Sequence, residues 1–280
     1  MAKSARPASP LLASIPGTLV LVGAGKMGGA MLEGWLARKL PPNKIVVIEP
    51  QPSKAIKALK QRGVRINPKG DIGKAAAMVI AVKPQTAPDA LPPLAPLTDS
   101  KTVVVSIMAG RTLDFLEKHF AKAAVVRAMP NTPAAIGRGI TVAVGNIRVT
   151  ATARKLAHGL LTATGSVEWV NDEALMDAVT AVSGSGPAYV FLLAEAMAQA
   201  GEAAGLPPAL ADKLARETVA GSGELLHRSP LPAATLRQNV TSPGGTTAAA
   251  LEVLMGRDGV PSLMTKAVAA ATRRGKELAG

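Results

Sequence analysis

Cysteine is absent from this 280-residue chain, aromatic residues make up 2% of it, and histidine occurs only three times. Without a thiol there is no disulfide, no thiolate nucleophile and no Cys-ligated zinc. That fits an intracellular setting, and the cytoplasm is the expected location. His119, His158 and His227 stand apart with no partner in the pattern, and no G-x-S-x-G elbow occurs. No histidine or acidic cluster has metal-ligand spacing, so neither a serine hydrolase nor a metal centre is expected. Acidic residues are also short, 19 against 32 Lys plus Arg, which leaves a formal charge of +13. Such a surplus first points to nucleic acid, yet no basic run exceeds two residues and aromatics are not interleaved with them. A positive field serves an anionic cofactor and an anionic small-molecule substrate equally well, and nucleic acid is not expected as a partner. No convincing uninterrupted apolar run of about 18 residues is present, so no membrane span is expected. Residues 1–16, with Lys3, Arg6 and three prolines, lack the apolar core of an export signal and read as a loose basic leader.

What is present is aliphatic and small: 48% of the chain is hydrophobic, with Ala and Gly frequent. A chain of this length can bury about 75% of its extended surface and is long enough for two domains. The first, residues 17–170, alternates short apolar runs with helical stretches. Strands are expected over 19–22, 44–48, 64–66, 76–82, 103–107, 125–128, 140–144 and 166–170, with a helix over 53–61. Continuous apolar strands separated by helices predict an α/β fold, a doubly wound, mostly parallel Rossmann-like sheet covered on both faces. Prolines at 84, 88, 92, 93 and 96 predict a connection poor in helix. Beyond residue 170 the strands cease. Residues 171–280 predict an all-helical domain, with Asn171 as the first cap and helices over 188–204, 209–226, 246–256 and 261–278. The helix over 188–204 is polar only at Glu195, Gln199 and Glu202, so burial on most sides is expected, and subunit pairing through this half with it.

The first strand runs into Gly23-Ala24-Gly25-Lys26-Met27-Gly28, a G-x-G-x-x-G turn. In that pattern the first glycine makes the tight turn, the second lets a pyrophosphate reach the main chain, and the third lets helix lie on sheet. The helix start then offers N–H groups to phosphate. Glu49 ends the second strand about 20 residues on, where a carboxylate can accept from adenosine ribose hydroxyls and favour NAD. Gln51, Ser53, Lys54 and Lys57 could instead receive the 2′-phosphate of NADP if Glu49 turned aside, so NADH and NADPH both stay open. Val82-Lys83-Pro84 closes the next long strand, where Lys83 either meets a ribose or phosphate or is a plain surface lysine. Ser106-Ile107-Met108-Ala109-Gly110 ends another strand with small residues that admit a flat nicotinamide. Asn131 and Thr132, held between Pro130 and Pro133, are placed to fix the nicotinamide face or to form a structural turn.

Two further segments carry glycine. Ser183-Gly184-Ser185-Gly186-Pro187-Ala188-Tyr189 is either a ligand border or an interhelical corner. Thr241-Ser242-Pro243-Gly244-Gly245-Thr246-Thr247 sets a turn before an alanine-rich helix, whose amides and hydroxyls suit a small carboxylate.

These segments, with Ala81-Val82-Lys83-Pro84 and residues 127–133, strongly resemble the pyrroline-5-carboxylate reductase family over almost everything after Leu19. The resemblance implies a Rossmann domain followed by a helical dimerisation domain, a homodimer, and often a decamer of five dimers. It implies NADPH- or NADH-dependent reduction of L-1-pyrroline-5-carboxylate to L-proline. It places the substrate carboxylate and ring on Gly245, Thr246 and Thr247, with the Thr247 hydroxyl facing the imine nitrogen. Ser242 supports that loop and Val240 lines the ring pocket. Two positions depart from the family: Gln238 stands where an acidic partner for Arg237 is usual, and Met108 where alanine is usual. Hydride addition to a cyclic imine suits such a site, because the nitrogen is already basic and neither metal nor Lys–Glu pair is needed. The nearest rival among enzymes is a 3-hydroxyacid dehydrogenase or related imine reductase; the hydroxyacid enzymes should carry a lysine on the helix over 188–204, which has none. A dinucleotide-sensing scaffold is the rival outside catalysis.

Overall fold

The computed structural model describes residues 15–279, so all but the end of the leader expected over 1–16 lies outside the described residues. Eight strands form one sheet: β1 (Thr18–Val22), β2 (Ile45–Ile48), β3 (Arg65–Ile66), β4 (Ala75–Ile80), β5 (Val103–Ser106), β6 (Ala124–Met129), β7 (Gly139–Gly145) and β8 (Gly165–Trp169). Their order is β3-β2-β1-β4-β5-β6-β7-β8, parallel throughout except that β7 runs antiparallel to β6. The first six strands have the doubly wound order of a dinucleotide fold, whose ligand crevice opens between β1 and β4 at the carboxyl edge. The helices among them are α1 (Lys26–Ala37), α2 (Lys54–Ala58), α3 (Ala87–Ala90), α4 (Leu113–His119), α5 (Ala151–Leu161) and α6 (Met176–Val179).

Strand alternation divides the apolar side chains between two faces. Leu19, Leu21, Ile45, Val47 and Val79 pack with Met31, Leu32 and Trp35 of α1 and with Leu160 and Leu161 of α5. Val20, Val22, Val46, Met78 and Ile80 pack on the other side with Leu91, Leu94, Leu113, Leu116 and Phe120. Each fully buried aliphatic or aromatic side chain contributes about 1.5–3 kcal/mol relative to exposure, which is how a core nearly without rings holds together. Trp35 is fully buried, and its indole N–H donates to the Leu160 carbonyl at 2.8 Å. Trp169, on the edge strand, lies under the Arg154 guanidinium at 4.5 Å and donates to His158 Nδ1 at 3.3 Å.

The expected strands are found with ends shifted by a residue or two. The helix expected over 53–61 is α only to Ala58, after which the chain tightens to a 3₁₀ turn over Leu59–Arg62 and stops at Gly63 with φ +97°. In the proline-rich connection, helix is confined to four-residue α3 and flanking 3₁₀ turns at Pro84–Thr86 and Pro92–Leu97. The expected cap moves by one residue: Asp172, not Asn171, caps the next turn by accepting from the Ala174 amide at 2.9 Å.

The chain divides into two compact units, the first reaching Gly184 and including the chain from Arg273 onward, the second spanning Ser185–Thr272. The second contains α7 (Gly186–Ala203), α8 (Pro208–Arg228), α9 (Ala233–Asn239), α10 (Thr246–Leu254) and most of α11 (Val260–Ala279). α7 packs chiefly along α8, where Gly201 allows close approach to Ala211. The burial expected for this helix is not met within the chain: no residue of α7 is buried, and Phe191 is 67% and Leu192 63% exposed. One helical neighbour covers one stripe, and an apolar helix of this composition has more than one stripe to cover. No described helix is long and apolar enough to cross a membrane.

Candidate active site

The carboxyl edge of the sheet gathers most of the residues expected at a cofactor. Gly23 (φ +88°) leaves β1 with its amide donating to the Ile48 carbonyl at 2.8 Å, and a side-chain carbon there would sit 2.6 Å from the Ala81 carbonyl. At Gly28 the same atom would come within 2.2 Å of the Gly23 carbonyl, so only glycine lets α1 close on the turn. Gly25 differs, since nothing lies within 4 Å of the corresponding position. It is exposed, as is Lys26, while Met27 is half-buried. The amino end of α1 has no side-chain cap and no acidic residue in its first turn. An open approach over Gly25 to uncapped helical amides fits a pyrophosphate.

Glu49 is half-buried just after β2. Its Oε2 accepts from the Ala24 amide at 2.8 Å and its Oε1 from the Gln51 amide at 3.0 Å. Gln51 thus engages this corner through its main chain. The Ser53 hydroxyl accepts from the Ile56 amide at 3.2 Å as the cap of α2, and Lys54 follows it in exposed position. Asn67 was invisible as a site residue in the sequence, yet its side-chain amide bonds both main-chain groups of Glu49.

Val82, Lys83 and Pro84 follow β4, with Lys83 exposed and Val82 beside Gly23. Arg111, which the sequence did not single out, holds this turn: its Nε and Nη2 donate to the Pro84 carbonyl at 3.2 and 2.8 Å while it stacks on Phe115 at 4.6 Å. Ala109 is exposed after β5, and Met108 is buried in the apolar cluster on that face. Asn131, after β6, spends its Oδ1 on the Ile140 amide at 3.0 Å, so its carbonyl oxygen pins the start of β7.

Beneath these loops Arg127 of β6 is buried, its guanidinium 2.8 Å from Glu173 and 3.8 Å from Asp177. Glu173 also accepts from the Leu113 amide at 2.8 Å. This ties β6, the start of α4 and the turn before α6 together. A buried arginine demands a partner, but which acid would meet it was not readable from a separation of 46 residues. Ser183 lies in a π turn over Thr180–Gly184, its hydroxyl buried and without a hydrogen-bond partner among the described residues. Gly184 sits against Met129, where a side-chain carbon would approach the methionine methyl to 2.5 Å. Among the described residues no group of His, Asp and Glu could hold a metal ion.

The second unit contains the other candidate residues. The Ser242 carbonyl accepts from the Gly245 amide at 3.0 Å, with Pro243 and Gly244 (φ +69°) at the centre of the turn. That is the geometry a Pro-Gly pair favours. Gly245 then caps α10 with no side-chain hydrogen bond, so the first amides, from Thr246 and Thr247, start an uncapped helix. Thr247 is half-buried, whereas Ser242, Thr246 and Val240 are exposed. Gln238 is exposed on α9, and Arg237, in place of an ion pair, donates to the Met255 sulfur at 3.2 Å.

Residues 173–278 match the family model described as pyrroline-5-carboxylate reductase dimerisation, and 18–110 match NADP oxidoreductase coenzyme F420-dependent. A pyrroline-5-carboxylate reductase of Synechocystis is 42% identical over 93% of this chain and 97% of its own length. This chain belongs to the pyrroline-5-carboxylate reductase family. A member from Pseudomonas aeruginosa is 37% identical over 93% of this chain and 96% of its own. Among solved members, the Coxiella burnetii reductase matches with a TM-score of 0.86 at 34% identity, covering 94% of this chain and 99% of that one. The Plasmodium falciparum reductase, solved with NADP bound, matches with a TM-score of 0.79 at 29% identity, covering 95% and 99%.

Proposed function

We propose that this protein reduces L-1-pyrroline-5-carboxylate to L-proline with NADPH or NADH, as the last step of proline biosynthesis in the cytoplasm. The observation that carries the proposal is that one chain of this family has an open anion seat in each of its two units. One is the Gly25 turn at the uncapped start of α1; the other is the Ser242–Gly245 hydrogen-bonded turn at the uncapped start of α10.

Gly25, Lys26 and Met27 would hold the pyrophosphate of the cofactor, Glu49 and its neighbours the adenosine ribose, and Val82, Lys83, Pro84, Ala109 and Asn131 the nicotinamide end. When bound, the reduced nicotinamide supplies the hydride. The rest falls to the chain. Amides of Gly245, Thr246 and Thr247 bind the substrate carboxylate, Ser242 fixes their turn and Val240 borders the ring. The Thr247 hydroxyl donates toward the imine nitrogen and orients it. A neutral hydroxyl is a poor acid, so its contribution is placement; the basic nitrogen takes its proton from water, and the C=N carbon so activated accepts the hydride, leaving the secondary amine of proline.

In this reading residues 17–170 form the cofactor domain and 171–280 the dimerisation and substrate domain. Two copies pair through the apolar α7 surface, and five such dimers make a decamer. The test is spectrophotometric oxidation of NADH and NADPH with pyrroline-5-carboxylate, against simple 3-hydroxyacids run in reverse. Turnover of hydroxyacids alone would overturn the assignment.

A further inference from the structure

We infer that Glu49 makes this protein selective for NADH over NADPH. The inference deepens the cofactor reading above and rests on it. The Glu49 carboxylate is held at both oxygens, by the Ala24 amide at 2.8 Å and the Gln51 amide at 3.0 Å. The main chain beneath it is held as well. The Glu49 amide donates to Asn67 Oδ1 at 2.9 Å, and the Glu49 carbonyl accepts from Asn67 Nδ2 at 2.7 Å. The Gly23 amide in turn donates to the Ile48 carbonyl at 2.8 Å. Glycine turn, strand end and carboxylate are therefore one hydrogen-bonded assembly, and the acid is fixed in place before any ligand arrives.

An ionised carboxylate offers about four acceptor sites. Two are occupied by main-chain amides, and the remaining two match the paired hydroxyls of an unmodified ribose. A 2′-phosphate has the opposite need, bringing nearly two negative charges and three acceptor oxygens that require donors. At this corner the amides of Ala24 and Gln51 are already engaged by Glu49. The Ser53 oxygen accepts from the Ile56 amide as the cap of α2, so the neutral donors left here are its O–H and the Gln51 side-chain amide, and neither offsets the Glu49 charge. Lys54 and Lys57 are exposed on α2, and a phosphate drawn to them meets the fixed Glu49 charge beside it. Swinging Glu49 aside strips both amides of their acceptor, so the side chain resists yielding its place.

Isothermal titration of the full chain with NADH, NADPH, ADP-ribose and 2′-phospho-ADP-ribose, all without pyrroline substrate, tests the inference. The expected result is at least ~10-fold tighter binding of the unphosphorylated member of each pair, about 1.4 kcal/mol. Glu49→Ser is expected to weaken NADH and to bring the two members within about threefold of each other. Equal binding of both members by the unaltered protein, or a preference for the phosphorylated one, overturns the inference whether or not the variant folds. A folded Glu49→Ser protein that keeps the full discrimination overturns the role of Glu49. Absence of binding by all four ligands overturns this inference together with the cofactor reading. Selective binding without turnover of pyrroline-5-carboxylate leaves the inference standing and removes the proposed reaction instead.

Discussion

The sheet-bearing unit and the helical unit spend similar apolar side chains in opposite ways. Trp35, Leu32 and Val79 are fully buried by the chain's own elements, whereas Phe191, Leu192 and Leu193 of α7 are each more than half exposed. The sheet is sandwiched between two apolar layers, while α7 has chiefly α8 as a neighbour within its unit. The first unit is complete as a core. The second carries half of a core, which accords with its match to a dimerisation model and with the proposed pairing of two copies.

The largest expected effect strikes that difference directly. Phe191→Asp with Leu192→Asp should weaken self-association by ~10,000-fold, about 5.5 kcal/mol, read by sedimentation velocity, with the sheet unit still folded by circular dichroism. Trp35→Ala is the mirror experiment. It should lower the unfolding free energy by about 4 kcal/mol in a urea titration while the survivors still associate. Glu173→Ala leaves the Arg127 guanidinium buried beside Asp177 alone and should cost about 3 kcal/mol, again by urea titration. Thr247→Ala in the helical unit should reduce kcat/KM for pyrroline-5-carboxylate by ~100-fold, about 2.7 kcal/mol, with association and cofactor binding nearly unchanged. The smallest effect is expected for Arg111→Ala, which frees the Pro84 turn and should raise the cofactor Kd about fivefold, near 1 kcal/mol. If Phe191→Asp with Leu192→Asp leaves association intact, or Trp35→Ala abolishes it, the contrast between the two units is wrongly drawn.

Apolar runs and glycine spacing made the sheet legible, because strands covered on both faces read as near-continuous apolar runs, with Arg127 of β6 as a paired exception. The reversed direction of β7 was not legible, since a buried strand reads alike in either direction. The Gly23–Gly28 turn and Glu49 are visible by spacing, and Gln51 and Ser53 read in the sequence as side-chain donors to a phosphate. The structure adds a second role for each, the Gln51 main-chain amide on Glu49 and the Ser53 oxygen at the cap of α2. Asn67 and Arg111 carried no signal, and Glu173 reads only as a first-turn acid, because each acts on a residue brought near only by folding. For α7, composition revealed the need for a cover but not its source, because hydrophobicity records what a surface avoids rather than what meets it.

The scarcity of rings has an optical consequence. Both tryptophans of the chain, Trp35 and Trp169, belong to the sheet-bearing unit, one sealed on the buried face of α1 and the other stacked under a guanidinium at the edge strand. Indole emission therefore watches the sheet and is blind to the helical half, while far-ultraviolet dichroism is dominated by helices from both. Melting curves recorded by the two signals side by side will coincide if the halves unfold as one cooperative body and separate if they do not.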